Sequence, residues 1–302
     1  MSQRKLISFD WAMKKLLRSK ANFGILEGFL SELLKDNIKI LEILESESNK
    51  EDNKDKFNRV DLKVKNDKGE IIIIEVQYER EFDYLQRMVF GTSKVITEHL
   101  RESDPYSKIT KVISINILYF DLGHGLDYVY HGTTTFKGLH NQDLLQLSEE
   151  QQELYRKKAL HEIFPEYYLI KVNNFDDIAK DTLDEWIYFL KNEEIREDFN
   201  ALGIRKAKQE LDILKLSEEE RRAYERYRND LHYQASMVES SYTIGLRKGR
   251  KERDMEIAAS LLAGGILDNN TVAKTTNLTV EEIEKLKKNS PTNKEDRPEL
   301  PI

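Results

Sequence analysis

The chain contains no cysteine. That excludes disulfide scaffolds, thiolate catalysis, iron–sulfur clusters and cysteine-based zinc sites. Proline is scarce, with 5 in 302 residues, and three of them fall in the last dozen positions. With only 13 glycines as well, the chain is neither collagen-like nor wholly disordered. No apolar run approaches the roughly 18 residues of a membrane span; the run IIIIEV is far too short. The opening MSQRKLISFDWAMKK has no apolar core of a signal peptide, so a cytoplasmic location is expected and no membrane partner. A net charge of −7 argues against a simple electrostatic sponge for nucleic acid.

What is present is charge, at 34% of residues, and it is unevenly placed. Residues 1–200 carry 29 basic and 37 acidic side chains, whereas residues 201–256 carry 13 and 11. Two regions with different jobs are expected. Length alone suggests about two domains.

Hydrophobic spacing supplies the elements. Phe9, Met13, Leu16 and Leu17 recur at helical intervals, and Phe23, Leu26, Phe29, Leu30, Leu33 and Leu34 continue them, with Asn22 and Gly24 splitting the run in two. A strand is expected over 38–44, then a solvated loop from Ser46 to Lys56. Residues 58–65 alternate with period two, residues 66–69 signal a turn, and IIIIEVQYE follows. Four consecutive isoleucines are buried on both faces, so that strand belongs in the middle of its sheet. A helical stripe runs through Leu85, Met88, Val89, Ser93, Ile96 and Leu100 until Asp104-Pro105 stops it. Further strands are expected at 112–120, 127–136 and 168–172, and helices at 142–163 and 181–190.

The fold class is therefore α/β, a mixed sheet flanked by helices, with an all-α C-terminal extension. Two long charged helices are expected at 205–233 and 235–263. The expected organisation is a core over 1–200, a charged helical assembly region over 201–256, a small helical module over 257–290 and a disordered tail over 291–302.

The hairpin carries the chemistry. If Asp67-Lys68-Gly69 forms a three-residue loop with Gly69 left-handed, Asn66 faces Glu70 and Asp61 lands opposite Glu75. Gln77 then lies opposite Arg59, and Lys63 shares that face. Solvated polar residues on the outside of a hairpin are the bland explanation. Against it, Glu75 and Gln77 interrupt an otherwise aliphatic strand, where a carboxylate is costly unless paired or metal-bound. Opposed carboxylates at about 5 Å also repel. A divalent cation removes both problems, and Mg²⁺ typically takes one or two carboxylates plus phosphate and water. On this reasoning, removal of either carboxylate is expected to be neutral to stabilising without metal.

Asp61, a hairpin, then Glu75-Val76-Gln77 resembles the D…(D/E)-x-K core of the PD-(D/E)XK nuclease superfamily, in an E-x-Q form. The leading FDWAMKK, the pattern RVDLKVKNDKGEIIIIEVQ, the helix DYLQRMVFGTSKV and the strand KVISINILYF resemble the Rpn family of recombination-promoting nucleases, also described as transposases of that class. The resemblance covers roughly residues 5–190. It implies a restriction-endonuclease-like core and metal-dependent cleavage of DNA phosphodiesters, in recombination or DNA transfer. Asp61, Glu75 and the Val76 carbonyl would bind Mg²⁺, with Mn²⁺ or Ca²⁺ as substitutes. Asp10 would be either a third ligand or merely a helix N-cap. Gln77 stands where lysine is commoner, and a neutral amide cannot act as a base; Lys63 or Arg59 would then supply positive charge. Arg87 and Lys94, two turns apart on one helix face, either touch phosphate or are solvated. The alternative function is an inactive DNA- or protein-binding module on the same fold.

The six histidines show no metal-ligand spacing, and Gly123 and Gly125 lack the G-K-S/T of a phosphate loop. Arg247, Lys248 and Arg250 in TIGLRKGRKER form a basic helix face, suited to DNA phosphates or simply to solvent. NTVAKTTNLTVEEIEKLKK resembles a helix-turn-helix, with Asn277 at the turn and a Thr279–Glu282 capping box. Its second helix is acidic and meets phosphate poorly, so the module could dock a protein partner or another subunit as readily as DNA. The amphipathic helices of 205–263 are compatible with a homodimer.

Overall fold

A computed structural model describes residues 6–44, 61–101, 103–265 and 267–289. The expected 46–56 loop, Arg59 and the 291–302 tail lie outside them. Two compact units divide the chain, Met1–Tyr227 and Arg228–Ile302.

The first unit is built on one six-stranded sheet, in the order β1-β2-β3-β4-β6-β5. The strands are β1 Ile40–Ile43, β2 Leu62–Asn66, β3 Ile71–Gln77, β4 Val112–Leu118, β5 Val129–Gly132 and β6 Glu166–Lys171. β1–β2–β3 are antiparallel, β3–β4–β6 parallel, and β5 antiparallel at the far edge. β3 is an inner strand, as its isoleucine run demands. Ile72 and Ile74 enter the main core, and Ile71 and Ile73 pack against Val95 on the opposite face.

The main core is covered by α1 Phe9–Lys15, α2 Phe23–Leu34 and α5 Thr182–Asn192, with Phe9, Phe29, Trp186 and Phe189 in edge-to-face contact. A 3₁₀ turn over Lys20–Asn22 separates α1 from α2, at the expected break. α3, Tyr84–Glu98, covers the other face. Its stripe divides differently from the expectation. Tyr84, Met88, Thr92 and Val95 are buried, while Leu85 and Val89 face outward.

Three expected elements differ. Of residues 142–163 only Glu149–Tyr155 is α-helix (α4), started by a Ser148–Gln151 capping box and ended by left-handed Arg156. Leu144 instead bridges back to Lys137. The two long helices are redistributed into α6, Ile204–Glu210, and one 46-residue α7, Glu218–Ala263. No glycine or proline stands near residue 234 to break α7. The compact first unit also runs past residue 200. Ile204, Ala207, Leu211, Leu216 and Tyr224 are buried in the main core.

α2 and the start of α6 approach closely at Gly28. A Cβ there would overlap the Leu202 carbonyl oxygen and lie 2.9 Å from the Gly203 Cα. Gly28→Ala should therefore cost about 3 kcal/mol or more in a denaturant melt, although alanine is the better helix former.

The second unit contains the rest of α7, α8 Asn269–Thr276 and α9 Val280–Asn289 around Ala258, Val272, Ala273, Leu278 and Ile283. Asn277 is left-handed at the turn, with φ 50°. Thr279 and Glu282 exchange the hydrogen bonds of a capping box. Glu282 also pairs with Lys251 at 2.6 Å, and this lysine and the Thr279 backbone hold its carboxyl down to about 2.

Candidate active site

Asp61 immediately precedes β2. The pairing of Leu62 with Ile74 and Lys63 with Ile73 carries it opposite Glu75, the register expected of the hairpin. Asn66 N–H donates to the Glu70 carbonyl and Gly69 is left-handed, which closes the turn as anticipated. Glu75 lies on the α3 face of the sheet, where it meets Arg87, whereas the Asp61 carboxylate, just ahead of β2, is met by Lys14 of α1. The Asp61 and Glu75 side chains are 15% and 14% exposed.

Two groups of partners meet them. On one side, the Val76 N–H donates to Asp61 Oδ2 at 2.8 Å. The Lys14 ammonium lies 3.3 Å from Asp61 Oδ1 and 2.8 Å from Asp10 Oδ1. Asp10 and Lys14 are one turn apart on α1, so both project to the same place. Asp10 does not cap the helix, because Ser8 occupies the N-cap position. It is 2% exposed and accepts a hydrogen bond from the Tyr227 hydroxyl of α7. Its Oδ1 has no hydrogen-bond partner of good geometry, although it is ion-paired to Lys14.

On the other side, the Arg87 guanidinium pairs with Glu75 and, at 2.6 Å, with Glu81. Gln77 Nε2 donates to Glu81 Oε1 at 2.9 Å and to the Glu79 carbonyl at 3.2 Å. On β4, Asn116 sits in register with Glu75 and accepts from the Tyr84 hydroxyl at 3.1 Å.

The electrostatics follow from burial. Removal from water pushes the Glu75 carboxyl up to about 7; Arg87 opposes the shift, and the neighbouring Asp61 adds to it. Burial raises Asp61 as well, against the pull of Lys14. Burial works against the charge of Lys14, yet Asp61 and Asp10 outweigh it and hold the ammonium above its ordinary value. Among the described residues, Asp10, Asp61, Glu75 and Glu81 face Lys14 and Arg87 across these ion pairs. The formal excess is two negative charges.

The structure brings together Asp10, Asp61, Glu75, Val76, Gln77 and Arg87. Lys63 shares the face but is buried and paired with Glu98 at 3.2 Å. Lys94 is half-buried further along α3. Arg247, Lys248 and Arg250 are exposed on α7 in the second unit. Lys14, Glu81 and Tyr227 are additional members. The i,i+4 spacing of Asp10 and Lys14 signals the first; nothing local signals Tyr227, which is 217 residues from its partner. Among the described residues, no three Asp, Glu or His side chains form a group that could hold a metal ion, and no helix is long and apolar enough to cross a membrane.

A mixed sheet flanked by helices, with two carboxylates opposed on an antiparallel hairpin, defines a nuclease-like core. The model of the PD-(D/E)XK nuclease family transposases matches residues 7–241, and the chain belongs to that family. Comparison with proteins of curated function finds no match, nor does comparison with solved structures.

Proposed function

We propose that this protein is a metal-dependent DNA endonuclease that hydrolyses phosphodiester bonds, acting in recombination or DNA transfer. The observation that supports the proposal is that the hairpin register sets Asp61 opposite Glu75, both largely buried, with a formal excess of two negative charges among the described residues. The donors fit a hard divalent cation. They are carboxylate oxygens, although Asp10 Oδ1 is ion-paired to Lys14 at 2.8 Å, so that Asp10 would have to exchange this partner for the ion. Asp61, Glu75, the Val76 carbonyl and Asp10 would hold Mg²⁺. When bound, it supplies the positive charge that polarises the phosphoryl group and activates water for attack.

The chain's own residues prepare the place. Asp61 is oriented by the Val76 N–H. Arg87 holds Glu75, and Gln77 fixes Arg87 indirectly by holding Glu81. Gln77 therefore serves as an orienting amide here. Lys14, rather than Lys63, is the cation beside Asp61, where phosphate charge would be met.

The test is incubation of the purified protein with supercoiled plasmid, with and without Mg²⁺, Mn²⁺ or Ca²⁺. Nicking should appear with Mg²⁺ and vanish in Asp61→Asn and Glu75→Gln. Variants that nick at the wild-type rate would remove the site assignment. One observation favours the alternative of an inactive binding module: Lys14 and Arg87 are already ion-paired to Asp61 and Glu75. An inert wild type that still binds DNA would establish that reading.

A further inference from the structure

A DNA substrate offers bases as well as phosphates, and side chains suited to bases stand next to the carboxylates. Phe82 is 90% exposed. The Arg80 guanidinium lies over its ring, 5.0 Å from the centroid. Phe82 directly follows Glu81, whose carboxylate is bonded to both Gln77 and Arg87. Leu85 and Val89, on the next turns of α3, are also more than half exposed. Leu85 and Val89 are one turn apart on α3 and share a face, and Phe82 lies in the turn that leads into that helix.

A phosphate backbone gives such apolar side chains nothing to bind. Bases inside a closed duplex present their edges to a protein, with their faces already stacked. An unpaired base presents a free face, which aromatic rings and guanidinium planes both accept. A cation lying on the ring favours a polyanionic strand over an apolar protein surface.

We infer that Phe82, with Arg80 against it and Leu85 and Val89 on the helix that follows, is a stacking platform for an unpaired nucleobase. That base would neighbour the phosphate at Asp61 and Glu75. The substrate is then single-stranded DNA, or a strand opened from a duplex. The inference rests on the nuclease proposal for the phosphate, but the base contact has its own readout.

The experiment uses the full chain and a short single-stranded oligonucleotide, without divalent ions so that the strand stays intact. The controls are an abasic strand of equal length and the matching duplex. Trp11 and Trp186 are buried, so the exposed indole of Phe82→Trp dominates the red edge of the emission. That emission should be quenched by the oligonucleotide and not by the abasic strand. Phe82→Ala and Phe82→Leu should both weaken single-strand binding by roughly 5- to 100-fold and leave duplex binding unchanged. Leucine keeps apolar contact but has no π-face. Absence of quenching, or a leucine variant that binds like wild type, would overturn the platform. So would variants that lose self-association in sedimentation while keeping strand binding, since these side chains would then seat a second copy. Quenching with no plasmid cleavage would sink the nuclease proposal and leave the platform; cleavage without quenching would do the reverse.

Discussion

Glu75→Gln should raise the unfolding free energy of the metal-free protein at pH 8 and leave it almost unchanged at pH 4. The carboxyl of Glu75 is pushed to about 7 in the folded chain, first by burial and then by Asp61. In the unfolded chain it titrates near its ordinary value of 4.5. A folded-state pKa above the unfolded one means that the native protein holds the proton more tightly. Its contribution to stability is full below about pH 4.5 and is lost as pH rises through about 7. The shift corresponds to up to about 3 kcal/mol. Glutamine cannot ionise, so the variant escapes the loss, and the difference between the two melts should grow across that window. Arg87 keeps Glu81 as a partner in the variant. Mg²⁺ should then raise the melting temperature of wild type and not of the variant, because only an ionised Glu75 holds the ion well. A wild type and variant with parallel stability–pH curves would show that Glu75 is not held above its ordinary range.

Asp61 behaves differently, and the structure separates two carboxylates that the sequence treats alike. Mutual repulsion suggests that loss of either is neutral to stabilising. Yet Asp61 also accepts the Val76 N–H and is one of two anions around Lys14. Asparagine can keep the first contact but leaves the ammonium with Asp10 alone. In metal-free buffer Asp61→Asn should gain less stability than Glu75→Gln, because burial raises both carboxyls but Asp61 gives up its ion pair with Lys14.

The hairpin register was legible because it rests on a local rule. A three-residue turn with a left-handed glycine fixes which residues oppose each other, and side-chain alternation does the rest. The central position of β3 was legible for a similar reason, since an unbroken isoleucine run fits only a strand covered on both faces. The second tier of the site was not. Whether Lys63 or Lys14 serves Asp61 depends on the placement of α1 relative to the sheet. Period-two alternation puts Lys63 on the right face, but cannot show that Glu98 waits there to take it. Leu85 and Val89 illustrate another limit. Their spacing fits a buried stripe, but helical periodicity identifies a face without saying whether anything covers it.

The break ahead of α7 is legible in the sequence. Ser217 and Glu220 exchange capping-box hydrogen bonds in the sequence S-E-E-E, a recognised helix start. Following that signal moves the helix boundary from 234 to 217. It does not show that the residues on either side of 217 return to the core, which depends on contacts with the first helix.

Ending the chain at residue 200 should abolish cooperative folding, whereas ending it at residue 235 should leave the first unit intact. The segment beyond 200 is bound to both ends of the core. Asn200 and Ala201 N–H groups donate to the Glu185 carboxylate at 2.7 and 2.6 Å, and Leu202 N–H donates to Glu32 at 3.1 Å. The Trp186 indole N–H donates to the Leu202 carbonyl at 3.2 Å. At the other end, Ile7 N–H donates to the Leu211 carbonyl and Ser8 N–H to the Tyr224 hydroxyl. The Tyr224 ring packs edge-on against Trp11 at 5.3 Å. Truncation at 200 therefore uncovers α1, the helix that carries Asp10 and Lys14, and strips one of its two N–H partners, that of Ala201, from the buried Glu185 carboxylate. Loss of Ile204, Leu211, Leu216 and Tyr224 alone removes roughly 6–12 kcal/mol of apolar burial. That is as large as the about 5–15 kcal/mol by which a domain is stable at all. A chain ending at 235 keeps Tyr224 and Tyr227 two turns inside α7, and so keeps the hydroxyl on Asp10. Denaturant melts of the two truncations against full-length protein decide the matter. A cooperative transition in the 200-residue chain would show that the helices after α5 are an appendage, and with them the tyrosine that α7 brings to the carboxylates.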